Sequence, residues 1–239
     1  MLAPSLGATG AMWEPQLAAL GDEFDLIAVD HRGHGGSPIA PGPYEIADLG
    51  RDVVALLDRL GLERVAYCGL SIGGMIGQWL AVHFPERVRA LVLICTAARV
   101  PAPAAYRDRA ATVREAGTPE AVADVVLARW FTAPYAGAHP ELMASFRAMI
   151  AATPAEGYAG CCEAIAGLDL RPIIAGITAP TLVIAGAQDL ALPPEHGRAI
   201  AQAVPGARFE LLEPAAHLAS VERAAEVTEL IHDHLGGST

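Results

Sequence analysis

The sequence predicts an α/β fold: a mostly parallel sheet flanked by helices, with a helical cap inserted between two of its strands. Three observations carry that prediction. Short apolar runs bounded by turn residues alternate with longer helix-patterned stretches. The runs are nearly continuous in Val, Ile, Leu and Ala, the pattern of parallel strands covered on both faces. Between Thr96 and Ala179 this strand rhythm stops for about 80 residues.

In chain order, the first run is a stub at Leu2 to Ala3, followed by Phe24 to Val29 as a second strand. The stretch Ile46 to Leu60 puts Ile46, Leu49, Val53, Leu56, Leu57 and Leu60 on one stripe, with Gly61 as the stop, and reads as a helix. The strand Val65 to Leu70 leads straight into a helix from Ile72 to Phe84, ended by Pro85. Ala90 to Cys95 is the next strand. The segment that follows is rich in Ala and Arg and broken by Pro101, Pro103, Pro119, Pro134, Pro140 and Pro154. It is too long for a structureless loop and reads as the cap, residues 98–178, inserted into a core made of 1–97 and 179–239. Strands at Thr181 to Ala185 and Phe209 to Leu212 complete the sheet, and Val221 to Leu235 is the last helix. With no repeat, low-complexity tract or flexible linker, cap and core are expected to form one unit.

A length of 239 residues, 53% of them apolar, suits one globular domain with an inserted subdomain. The 27 acidic and 16 basic residues leave a net charge of −11, and the chain contains no lysine and no asparagine. A Schiff base, a pyridoxal phosphate anchor, a P-loop lysine and N-glycosylation are thereby excluded. The acidic balance argues against nucleic acid as a partner. The longest apolar run, Ala90 to Ala98, falls far short of the ~20 residues of a membrane helix, so no membrane partner is expected. The amino end lacks a basic region and is interrupted by Pro4 and Gly7, unlike a signal peptide. Cys68, Cys95, Cys161 and Cys162 show no C-x-x-C spacing and read as buried thiols of a cytoplasmic protein, with no metal site.

The chemistry concentrates at strand ends. Gly69-Leu70-Ser71-Ile72-Gly73 is a G-x-S-x-G segment between a strand and a helix, a turn that forces its serine into a strained, exposed position. A plain Gly-rich turn with Ser71 as an N-cap is the competing reading. A serine hydroxyl needs a base oriented by a third group. Asp189 follows the strand at Thr181 in GAQDLALP, and His217 follows the last strand in PAAHLAS. The order Ser71, Asp189, His217, at spacings of 118 and 28 residues, fits a catalytic triad. Glu213 and Asp169 are weaker candidates for the acid. His31 and His34, in the turn DHRGHGGS, read as structural, and His83, His139, His196, His232 and His234 as surface or capping residues. The backbone N–H of Ile72, and that of Leu6 in the loop after the first strand, are candidate oxyanion donors, an ordinary tight turn being the alternative for Leu6.

At this point the residues resemble a known family. The elbow GLSIGG, the acid loop VIAGAQD, the histidine loop PAAHLASVE and the turn DHRGHGGSP look like an α/β-hydrolase over the whole chain. More narrowly, PSLGATGAMWEPQ, PGPYEIADLGRDV, GGMIGQWLA and TPAEGYAGCCEAIAGLDLR are similar to the 3-oxoadipate enol-lactonases of aromatic catabolism. The resemblance implies a serine hydrolase that opens a five-membered enol lactone bearing an acetate side chain, through an acyl-enzyme and without metal or organic cofactor. Its ligand would be a small anionic lactone, and a chain at −11 then needs a local cation. Arg129, beside Trp130 in LARWF, is the first candidate for the carboxylate, against the reading of a solvated helix arginine. Trp79, on the helix after the elbow, is expected in the core, with a place in the pocket wall beside Trp130 as the alternative. A general carboxylesterase or a carbon–carbon bond hydrolase of the same fold is the alternative, and a non-catalytic ligand-binding homologue the second. The family normally places a β-hairpin ahead of the first strand, so roughly 20–30 residues and the N-terminal edge strands are expected to be missing, through a misassigned start codon in the preferred reading and with a tolerated exposed sheet edge as the alternative.

Overall fold

Leu2–Ala3 (β1) lies at one edge of a five-stranded, wholly parallel sheet, in which Val65–Leu70 (β2), Val88–Ile94 (β3), Thr181–Gly186 (β4) and Arg208–Leu212 (β5) follow in chain order. The computed structural model describes residues 1–236; the core read from the sequence runs to 239, and residues 237–239 lie outside the described residues. The two central strands β3 and β4 are buried almost throughout, which is why their sequences carry no polar alternation. Register aligns the strand ends: Leu70 pairs with Ile94, Ile94 with Ile184, and Gly186 with Leu212. Parallel strands in this register release the residues that follow them at one edge, so Ser71, Cys95, Ala187 and Glu213 all leave the sheet on the same side.

Helices cover both faces. After Glu14–Leu20 (α1), the helix Ile46–Leu60 (α2) begins with a capping box between Glu45 and Asp48 and ends at Gly61, in the left-handed conformation. Its buried residues Ile46, Leu49, Val53 and Leu57 are the stripe the periodicity marks. Helix Ile72–His83 (α3) is almost wholly buried. A Cβ on Gly50 would come within 2.1 Å of the Trp79 ring, so α2 can rest on α3 only through a glycine. Trp79 is accordingly a core residue, 7% exposed.

Between β3 and β4 stand Pro103–Ala116 (α4), Glu120–Trp130 (α5), Ala133–Ala138 (α6), Pro140–Ala152 (α7) and Ala155–Gly167 (α8). Each begins within one residue of one of the prolines that break the sequence, where the missing N–H costs nothing. The chain then returns through β4, Pro194–Ala203 (α9), β5, Ala219–Glu222 (α10) and Ala224–Gly236 (α11). No helix among the described residues is long and apolar enough to cross a membrane.

Two elements differ from expectation. Phe24 to Val29 does not form a strand: it makes one bridge, Leu2 to Ala28, with Leu2 N–H donating to Ile27 and Val29 N–H donating to Leu2. Its neighbour β1 has only two residues, too few to sustain a ladder. The last predicted helix is two helices, α10 and α11, interrupted at Arg223 (φ −121°, ψ 46°). The break frees Glu222 to turn back on the preceding loop.

Candidate active site

Ser71 occupies the turn between β2 and α3 at φ 57° and ψ −116°, a conformation that costs a non-glycine residue on the order of 1–3 kcal/mol. The surroundings hold it there. Its N–H donates to Ile94 (2.9 Å), while its carbonyl accepts from Met75 N–H (3.0 Å) and from the Thr96 hydroxyl (2.7 Å). The glycine of the elbow at position 73 has a packing reason: a Cβ there would lie 2.4 Å from the carbonyl oxygen of Ala3. The backbone leaving β1 therefore passes directly over the first turn of α3.

Asp189 and His217 meet at the same edge, both 3% exposed. Nδ1–H of His217 donates to Asp189 Oδ2 (2.8 Å), and Asp189 Oδ1 accepts the N–H groups of Ala191 (2.8 Å) and Leu192 (2.9 Å). With Nδ1 engaged as donor, Nε2 is left as the basic nitrogen. Gln188 ties the two loops together, its Oε1 accepting Ala215 N–H (2.8 Å) and its own N–H donating to Ala215 carbonyl (2.8 Å). On the far side of the histidine, Leu218 N–H donates to the carbonyl of Trp130 in the cap (2.8 Å). Of the competing acids, Asp169 is an exposed residue paired with Arg171 (2.7 Å).

Ser71 and His217 line one cleft without a direct hydrogen bond between them. Ser5 and Leu6 line it together with Ser71, and Ile72 begins α3 immediately after the serine. The roof is Tyr106, Arg109, Val126, Arg129 and Trp130. Arg129 and Trp130, expected to contact the substrate, both line this cleft. Trp130 is 3% exposed and meets Phe146 edge-on at 5.8 Å.

Arg109 is the cleft residue the sequence does not single out. Its guanidinium lies 5.2 Å from the centre of the Tyr106 ring and is half-buried, whereas Arg129 is exposed. Among the described residues neither arginine forms an ion pair with a carboxylate. Helical spacing is the signal that finds it, because Tyr106, Arg109, Ala110 and Val113 share the inward face of α4.

A family model described as the alpha/beta hydrolase fold matches residues 1–224. The 3-oxoadipate enol-lactonase 2 of Acinetobacter baylyi is 43% identical over 220 residues, 92% of this chain and 81% of that protein. The crystal structure of the enol-lactonase from Burkholderia xenovorans LB400 matches with a TM-score of 0.94 at 44% identity, over 98% of this chain and 90% of that one. RutD of Stutzerimonas stutzeri, named as a carbamate hydrolase, is 29% identical over 98% of this chain and 90% of its own. A parallel sheet whose strand ends gather a strained serine, a histidine and its aspartate, together with a family match over almost all of its length, shows that the chain belongs to the α/β-hydrolase family.

Proposed function

We propose that the protein is a serine hydrolase that opens 3-oxoadipate enol-lactone to 3-oxoadipate. The observation that carries the reading is the content of one cleft: Ser71, His217 held by Asp189, and two arginines without carboxylate partners among the described residues, in a chain of charge −11. Such a cleft suits an ester that is itself an anion. Likeness at 43% and 44% identity to two enol-lactonases supports it.

In this reading Ser71 Oγ attacks the lactone carbonyl carbon while its proton passes to His217 Nε2. The N–H groups of Leu6 and Ile72 receive the tetrahedral oxyanion. Collapse breaks the ring C–O bond, and the leaving enolate takes the proton from His217 and ketonises, which makes opening hard to reverse. Water then gives a proton to His217 and attacks the acyl carbon, and collapse of the second tetrahedral intermediate returns that proton from His217 to Ser71 Oγ as 3-oxoadipate leaves. The substrate carboxylate is held from the cap, by Arg109 beside the tyrosine ring and by Arg129 at the rim, with Trp130 as an apolar wall. A guanidinium offers a carboxylate a two-point match that the single charge of a lysine, absent from this chain, does not.

The test is to supply the purified protein with the enol lactone, p-nitrophenyl acetate and a small carbamate in parallel. Preferential formation of 3-oxoadipate, lost in Ser71→Ala, is the expected result. Equal or better turnover of the acetate or the carbamate would overturn the lactonase reading. Absence of both turnover and fluorophosphonate labelling at Ser71 would overturn the enzyme reading.

A further inference from the structure

The turn DHRGHGGS touches the loop that carries Leu6 at three points. Asp30 accepts Gly10 N–H through Oδ1 (2.7 Å) while its Oδ2 accepts Gly36 N–H (3.0 Å). His31 donates Nε2–H to the carbonyl of Pro4 (2.8 Å). His34 does the opposite, its Nε2 accepting Gly7 N–H (3.0 Å) while Nδ1–H is directed at Arg32 carbonyl (3.3 Å). The two rings, 5% and 0% exposed, meet edge to face at 6.1 Å and must be opposite tautomers to make these bonds. Leu6 lies between the two held points, Pro4 and Gly7.

The turn and the loop are also fixed from the cap. Gly7, at φ +79°, sits under Tyr158 of α8, where a Cβ would approach the ring to 2.9 Å. Gly33 abuts Gly157 of the same helix, a Cβ on it coming within 2.3 Å of Gly157 Cα. Local turn geometry needs neither a buried donor nor a buried acceptor here, and two buried imidazoles are a costly way to hold a loop. A loop that must keep one N–H aimed at a developing charge does need them, because a preorganised donor is worth far more than one that has to reorient.

We infer that His31 and His34 are positioning residues for the reaction: one donates to the oxyanion loop before Leu6, the other accepts from it after Leu6, and together they aim the Leu6 N–H at the cleft. The inference rests on the Ser71 chemistry proposed above, though not on the lactone as substrate. Burial lowers the pKa of both rings, that of His34 to about 4, so His34 stays the neutral acceptor its bond requires at neutral pH.

The experiment compares His34→Leu, His34→Gln and the wild type on p-nitrophenyl acetate and on the enol lactone, with a boronic acid as the tetrahedral probe. For His34→Leu, kcat is expected to fall on the order of 100-fold, as for loss of one oxyanion donor, with KM within about threefold. Boronate affinity should fall in proportion to kcat, and His34→Gln, whose amide oxygen can accept Gly7 N–H, should recover much of both. A folded His34→Leu that keeps kcat and boronate affinity within about threefold overturns the inference, as does a loss shared equally by KM. If His34→Leu does not fold, nuclear magnetic resonance of the wild type decides. The Leu6 amide proton should move downfield when the boronate adds to Ser71, with Gly7 protected from exchange throughout; an unmoved Leu6 amide overturns the inference. Hydrolysis of the acetate but not of the lactone defeats only the lactonase reading, and a Ser71 that takes no boronate defeats both.

Discussion

Glu222 and Thr132 are joined across the boundary between core and cap, the Thr132 N–H donating to Glu222 Oε2 at 3.3 Å and its hydroxyl donating to Oε1 of the same carboxylate. The same Oε2 accepts the N–H of Ala216, next to His217, at 3.0 Å. One carboxylate therefore satisfies three donors and fixes where the first turn of α6 sits relative to His217.

Replacing Glu222 with alanine leaves those donors unpaired in a partly buried site, at a cost of about 1–3 kcal/mol. In a chain of this size each kcal/mol lowers Tm by roughly 2–4 °C, which calorimetry can resolve. Glu222→Gln keeps one acceptor and should lose less. Equal Tm values for the wild type and the alanine variant would remove Glu222 from the account.

Asp189→Asn is expected to lower kcat by about 10⁴-fold, the order seen when a triad aspartate becomes asparagine. The amide oxygen of the replacement can still accept the Ala191 and Leu192 N–H groups, so the loop should keep its shape. Its amide nitrogen then faces His217 Nδ1 with donors and imposes the wrong tautomer. Circular dichroism should report an unaltered fold while steady-state kinetics reports the loss.

Arg109→Gln and Arg129→Gln should raise KM for the anionic lactone and leave p-nitrophenyl acetate turnover within about threefold. Charge-assisted hydrogen bonds are worth about 1.5–3 kcal/mol, or roughly 10- to 100-fold in kcat/KM. The half-buried position of Arg109 assigns it the larger effect. Matching losses on both substrates would mean that the arginines serve structure instead of charge recognition.

Acid should destabilise the fold through His34. Its folded pKa is lowered by burial from 6.5 to about 4, with His31 also disfavouring the charge and the Arg32 carbonyl and Asp30 favouring it. The unfolded chain therefore takes up a proton first. Stability is full above about pH 6.5, falls as pH drops towards 4 and is lower by about 3 kcal/mol below that. Urea midpoints at pH 7 and pH 4 should differ less in His34→Gln than in the wild type, and an identical acid slope in both would count against the assignment.

The strand ends were legible because short apolar runs declare themselves and parallel register then does the gathering; with the G-x-S-x-G segment and the order Ser71, Asp189, His217, they led to the candidate site. Arg109 was not, because the cap holds several arginines and only the phase of α4 separates an inward one from Arg107. Phe24 to Val29 has the composition of a strand, yet a strand exists only with a partner, and β1 offers two residues. The break at Arg223 is written in Glu222, whose partners lie 6 and 90 residues away. His31 and His34 likewise bond to residues 27 positions distant, beyond anything a local turn signature encodes.

The bond from Leu218 N–H to Trp130 carbonyl joins main chain to main chain. No side-chain replacement in the wall of the cleft can delete it, short of a proline at position 218. Side chains that line the cleft, Arg109 and Arg129 among them, can therefore be exchanged without touching this main-chain anchorage of the loop that carries His217.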